Sequence, residues 1–286
     1  MSGPLLVVDA PSMLFRAFYA LPKSIKGKDG KPVNGLLGSA NLVLREIEEH
    51  SPRAVVMCFG PDAAEYRVDL YPSYHADREA AFPDELGPQW DDAADFYSAF
   101  GWVVAVHDTL EADDLLGAYA RREAEAGGTA LVMTGDRDLF QTAGDGITVL
   151  YVSTGKQGGQ LVGPDEVRSR YGIDPELVPD FIALRGDPSD GLPGAKGIGE
   201  KTAAELLRRH GSLEAALEAA VRETKPSVRS ALMEGKKLLP RFKEIATLQD
   251  VDVVLPPDTP LDGAGAAAAA RERGMERLAK RMEGGT

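Results

Sequence analysis

The whole chain has one cysteine, Cys58, so no internal disulfide is available. Its place inside the apolar run AVVMCF marks it as a small core residue in a protein of the reducing cytoplasm. Long apolar runs are also missing. LLVV and AVVMCF are typical, far short of the ~20 residues that cross a bilayer, so no membrane span is expected. The first residues, MSGPLLVVDA, carry neither a basic region nor a cleavable apolar core, so no secretion signal is expected either. Histidine is scarce. There are four, none beside a credible nucleophile, which excludes Ser–His–Asp and Cys–His catalysis. Basic residues are in deficit: 32 Lys and Arg face 45 Asp and Glu, for a net charge of −13 and a pI near 4.9. Nucleic-acid binders usually carry the opposite balance. That argument weakens if acids gather at one metal site and bases at another.

What is present is a globular composition, 43% hydrophobic and 27% charged over 286 residues. Short apolar runs at 5–9, 54–59, 102–106, 130–134 and 147–152 read as buried strands. Helical spacing at 36–50, 84–100 and 111–126 alternates with them. The pattern predicts an α/β unit over 1–163: a parallel twisted sheet with helices on both faces. From 164 to 286 short helical segments separated by Gly and Pro predict a second, all-helical domain ending in an Ala-rich helix. The segment 66–83, YRVDLYPSYHADREAAFP, interleaves Tyr, Arg and His with acids and prolines. It reads as a solvated loop or as a segment that closes over nucleic acid.

The acids fall at matching places. Asp9 ends the first strand. Glu111, Asp113 and Asp114 open a helix after the third, and Asp136 and Asp138 follow the fourth. Asp187 and Asp190 stand early in the helical part. Each has an ordinary reading as a helix cap or a turn residue. Together they point to one place, because parallel sheets bind ligands beyond the carboxyl ends of their strands. Crowded carboxylates repel one another unless cations offset them. A set without His or Cys favours hard ions, Mg²⁺ or Mn²⁺. A cluster of this size suits two ions, the arrangement that supports in-line attack on a phosphodiester.

The stretch GDPSDGLPGAKGIGEKTAAELL, residues 186–207, tests a nucleotide-binding alternative. Gly194 and Gly199 have the spacing of a phosphate-binding loop, but Glu200 intervenes before Lys201 and Thr202, and no buried strand precedes them. The nucleoside-triphosphate reading fails. A helix–hairpin–helix turn fits better. Gly194, Gly197 and Gly199 let the backbone approach a phosphate, Lys196 and Lys201 add charge, and exposed carbonyls can hold a monovalent cation such as K⁺. Such contacts grip backbone without reading sequence.

At these residues the chain resembles the 5′-nuclease family, the flap endonucleases and the 5′→3′ exonuclease domains that open bacterial family-A DNA polymerases. The likeness runs from about residue 4 to 250, through LLVVDAPSMLFRAFYALP, YRVDLYPSYHADR, EADDLLGAYA, TGDRDLFQ and the stretch around 186–207. It implies a PIN-like core and, at 286 residues, a stand-alone member without a polymerase. It implies that Asp9, Glu111 and Asp113 hold one metal and that Asp136, Asp138 and Asp187 hold the other, with Asp114 and Asp190 completing the lining. Arg67, His75 and Arg78 would act at the scissile phosphate. Arg16, Tyr19 and Tyr74 would contact DNA, with Gly194, Lys196, Gly197, Gly199, Lys201 and Thr202 on the duplex. Two positions depart from the family. Gly60 stands where members carry an Asp, so either Asp62 serves through a rearranged turn or one carboxylate is missing. His75 stands where members carry a Lys that positions the phosphate. The expectation is a monomeric cytoplasmic enzyme of replication or repair. It would cut DNA bearing 5′ ends, flaps or junctions. The rival readings are a non-catalytic DNA-structure binder, favoured by Gly60 and His75, and an RNA-directed nuclease.

Overall fold

The computed structural model describes residues 3–76, 82–153 and 158–284. Six strands form one sheet: β1 (Leu5–Asp9), β2 (Ala54–Phe59), β3 (Val103–Val106), β4 (Ala130–Thr134), β5 (Ile147–Tyr151) and β6 (Gln160–Val162). Their order is β3-β2-β1-β4-β5-β6, parallel except for β6, which pairs antiparallel with β5. The alternation of side chains across the pleat feeds two cores. Leu5, Val7, Val56 and Cys58 face one, while Leu6, Val8, Val55 and Met57 face the other. That is why these strands read as unbroken apolar runs. Cys58 is free and buried, in the first core.

Helices close both faces. On one lie α1 (Ala10–Ala20), α2 (Asn34–His50) and α4 (Gly87–Ser98), whereas the short α3 (Glu65–Leu70) between α2 and α4 packs on the opposite core through Val68 and Leu70. α1 follows β1 without a loop, because Asp9 caps it by accepting from the Ser12 amide at 2.9 Å and Pro11 suits its first turn. α5 (Ala112–Glu125) packs on the other face, in the core shared with the helical part. That part comprises α6 (Pro164–Tyr171), α7 (Val178–Arg185), α8 (Glu200–His210), α9 (Leu213–Ala219), α10 (Pro226–Gly235) and α11 (Leu239–Ala246). Phe181, Leu206, Leu232 and Phe242 join its core to Val132 and Phe140 on the sheet side.

The last helices, α12 (Gly263–Glu272) and α13 (Glu276–Met282), do not sit with the helical part. Ala266, Ala270 and Leu278 pack with Phe96 and Phe100 in the core beneath α4. Arg273 fastens this return by pairing with Asp92. Among the described residues no helix is long and apolar enough to cross a membrane.

Candidate metal centre and nucleic-acid interface

β1 lies between β2 and β4, so the direction of winding reverses between β1 and β4. A crevice opens beyond the carboxyl ends of strands at such a point. Asp9 sits there, its second oxygen accepting from the Thr134 hydroxyl of neighbouring β4 at 2.8 Å. Two residues past that threonine, the Asp136 amide donates to the same hydroxyl at 3.0 Å, and Asp136 Oδ1 accepts from the Asp138 amide at 2.9 Å. Asp113 projects from the first turn of α5. Asp187 comes from the turn after α7, braced by Arg185 Nη2 at 2.9 Å and the Ser189 amide at 2.9 Å. Asp9, Asp62, Glu111, Asp113, Asp136 and Asp187 line a single cavity of about 1100 Å³.

The charge of this cluster is poorly offset. Burial raises the Asp9 carboxyl above its ordinary value, with Arg16 acting against it. Burial, then Asp9, Asp136 and Glu111, push Asp113 well above the carboxylate range. Burial and the neighbouring Asp190 lift Asp136 to about 6. Burial, then Asp136 and Asp190, hold Asp138 well above its ordinary value. Protons cling to such a set until cations replace them. The donors are all carboxylate oxygens, which fits hard divalent ions. Among the described residues, the group of three His or carboxylate side chains drawn within 4.8 Å of one another lies elsewhere, at Glu46, Glu49 and His50.

Several expected site residues are placed differently. Arg67 is 2% exposed and cannot reach a phosphate in the cavity. It forks onto Asp114 at 2.8 and 3.0 Å, approaches Glu111 at 3.1 Å, and donates to the Ile245 carbonyl at 2.9 Å. Burial works against the Arg67 cation, and Glu111 and Asp114 overcome it. Asp114 is fully buried, and its oxygens also accept from the amides of Glu111 and Gln249. It is therefore the partner of a buried guanidinium that joins α3, α5 and α11, not an open metal ligand. Tyr74 is buried as well, its hydroxyl donating to Glu111 Oε2 at 3.0 Å. Glu111 also accepts from the Ala64 amide at 2.7 Å, so both of its oxygens are braced where it borders the cavity.

His75 adopts φ 53°, stacks on Tyr74 with centroids 3.9 Å apart, and is buried. Its Nδ1 donates to the Asp62 carbonyl at 2.6 Å and its Nε2 faces Asp190 Oδ1 at 3.1 Å. It ties the turn after β2 to the turn after α7, rather than standing free over the cavity as a lysine substitute. Asp138 and Asp190 are buried behind the wall. Arg78 lies outside the described residues. At Gly60 an added Cβ would lie 2.4 Å from the Leu110 carbonyl oxygen and 2.8 Å from the Ala112 amide. The start of α5 occupies the space an aspartate would need. Asp62 is exposed on the cavity rim.

Arg16 and Tyr19 reach the cavity from α1. Arg16 Nη2 donates to the Gly135 carbonyl at 2.9 Å and lies so flat on Gly135 that a Cβ there would be 1.9 Å away. Tyr19 is 67% exposed. Sequence reasoning passed over Phe15, Phe82 and Trp90, which form an edge-to-face group with centroids 5.5 to 6.0 Å apart on the cavity wall. It also passed over Arg137 and Arg185, which border the same cavity. The basic residue inside TGDRD was the available signal for Arg137, whereas the aromatics resemble core residues.

The turn between α7 and α8 separates its glycines by role. Gly194, at φ 65°, packs on its own chain, 2.3 Å from the Gly186 amide if a Cβ were added. Gly197 and Gly199 face open space, where another backbone can approach. Lys196 and Lys201 are exposed beside them, and Thr202 is half-buried. The first turn of α8 presents amides that its own helix leaves unpaired.

The model of the 5′-3′ exonuclease N-terminal resolvase-like domain matches residues 4–172, and that of the 5′-3′ exonuclease C-terminal SAM fold matches 173–262. A 5′-3′ exonuclease of Mycobacterium tuberculosis is 39% identical, over 96% of this chain and 93% of its own. DNA polymerase I of Mycobacterium bovis is 36% identical over 89% of this chain, which corresponds to 28% of that protein. A bacteriophage T5 flap endonuclease variant, solved with DNA and metal ions, has the same fold, with TM-score 0.72 at 17% identity and 98% of each chain covered.

Proposed function

The chain belongs to the 5′-3′ exonuclease family, and on that premise we propose that it is a structure-specific, divalent-metal-dependent nuclease that cuts DNA phosphodiesters at or near 5′ ends. The observation that carries this is the convergence of Asp9, Asp113, Asp136 and Asp187 on one cavity at the switch point of the sheet. Asp9 and Asp113, flanked by Glu111, would hold one Mg²⁺ or Mn²⁺, and Asp136 and Asp187, backed by Asp138, the other. When bound, these ions supply Lewis-acid activation of water and stabilise the leaving oxygen. Arg16 sits where it can meet a phosphate at the cavity mouth, and Tyr19 offers an exposed ring to an unpaired base. Gly197, Gly199, Lys196 and Lys201 would grip the duplex backbone, with K⁺ at the turn. His75, Tyr74, Arg67 and Asp114 act from behind, holding Glu111 and Asp190 in place. Work on 5′ flaps or junctions, a cytoplasmic place in replication or repair, and a monomeric state complete the reading.

Gly60 favours one second reading, a DNA-structure binder without turnover, because the site carries one carboxylate fewer there and the backbone fills its place. A labelled 5′-flap duplex with the purified protein in Mg²⁺ or Mn²⁺, against EDTA, separates the two. Metal-dependent cutting near the junction is expected. Tight binding with no cutting in either metal would establish the binder instead.

A further inference from the structure

α2 ends at the opposite rim of the sheet, beside a small cleft of about 370 Å³ bordered by His50, Pro4, Ala130 and Ile147 at the amino ends of strands. Its last turns carry Glu46, Glu49 and His50, a spacing that sets all three on one helix face. One donor atom from each lies within 4.8 Å of the others. Glu46 is fully buried. Its Oε1 accepts from Arg45 at 2.9 and 3.1 Å and from the Gly159 amide at 3.2 Å. Its Oε2 is buried and has no hydrogen-bond partner among the described residues. His50 Nε2 stands 3.5 Å from that oxygen.

A buried carboxylate oxygen that finds no donor among the described residues costs free energy, so this atom points to a ligand. The 3.5 Å separation is long for a hydrogen bond. It is close to the ~3.4 Å edge of a tetrahedron whose donors lie about 2.0–2.2 Å from a zinc ion. Arg45 neutralises the far oxygen and leaves Oε2 for a cation. Glu49 is exposed, so the fourth position opens to water. We propose that Glu46, Glu49 and His50 form a second cation site, separate from the catalytic cavity, that takes one zinc-class divalent ion. Imidazole with carboxylates selects such an ion over Mg²⁺, which the all-oxygen cavity prefers. A bound ion would pin the end of α2 to the segment at Gly159, through Glu46.

The test uses EDTA-treated, ¹⁵N-labelled protein titrated with Zn²⁺ in excess Mg²⁺, with imidazole nitrogens followed by NMR. With four histidines in the chain, His50 is assigned by its loss in His50→Gln. The expected result is a His50 Nε2 shift that saturates at one equivalent, with affinity lowered about tenfold or more in Glu49→Gln. Glu49 is exposed, so that variant keeps the fold. A His50 signal unmoved in tenfold excess Zn²⁺ would overturn the proposal, and so would equal affinity in Glu49→Gln.

Discussion

At the residue scale, the acids around the site divide into those that face the cavity and those that hold the cavity's frame. Asp114 belongs to the second kind, and Arg67 with it. Removing one partner of such a buried pair leaves an unpaired charge, typically at about 3–5 kcal/mol. Arg67→Ala should therefore lower unfolding free energy by that order in urea titrations, with loss of cleavage as a consequence. An unchanged midpoint would show the pair is dispensable. Gly60 makes an opposite prediction to the one its missing carboxylate invites. With the Leu110 and Ala112 backbone in the way, Gly60→Asp should destabilise by about 1–3 kcal/mol and leave the cleavage rate no higher. A faster, equally stable variant would mean that the start of α5 yields. The meeting of Asp9, Asp113 and Asp136 at one cavity was legible because acids just past strand ends and at the start of the following helix stand out. The buried placements of Arg67 and His75 were not. Their partners, Asp114 and Asp190, are 47 and 115 residues away in sequence, and only the folded chain brings them together.

At the element scale, the strands and most helices follow directly from apolar periodicity, because β1, β2 and β4 are buried on both faces. β6 was not legible: three residues, QLV, give no period to read. Nor was the return of α12 and α13 to the sheet. An Ala-rich helix does not say which surface it covers, and the contacts that decide it, Ala270 and Leu278 against Phe96, are long-range. The turn between α7 and α8 carries its own prediction. Lys201→Ala should weaken duplex binding and reduce the slope of log affinity against log salt by about one. Fluorescence anisotropy at several salt concentrations measures this. An unchanged slope would remove Lys201 from the DNA interface.

At the scale of the whole molecule, a net charge of −13 is compatible with the proposed DNA recognition because acids are massed at one rim and exposed lysines stand at one turn. The massed acids couple stability to pH. Asp136 rises from 3.8 to about 6 on folding, so its contribution is fully present below the unfolded value and is lost as pH climbs through about 6. Asp113 and Asp138 are raised in the same direction. Without metal the protein should therefore lose thermal stability as pH rises from 5 to 8. Mg²⁺ or Mn²⁺ should restore several degrees at pH 8 and little at pH 5. Equal metal-induced shifts at both pH values would contradict this. The central claim is that carboxylates at the switch point perform the cut while other parts of the chain hold the DNA. It is tested most directly by single-turnover cleavage of a 5′-flap duplex in Mg²⁺ by the native protein and Asp136→Ala, with flap affinity measured in parallel. The account predicts that the variant's rate falls by about a thousandfold or more while affinity stays within a few-fold. Full cleavage by Asp136→Ala would contradict it.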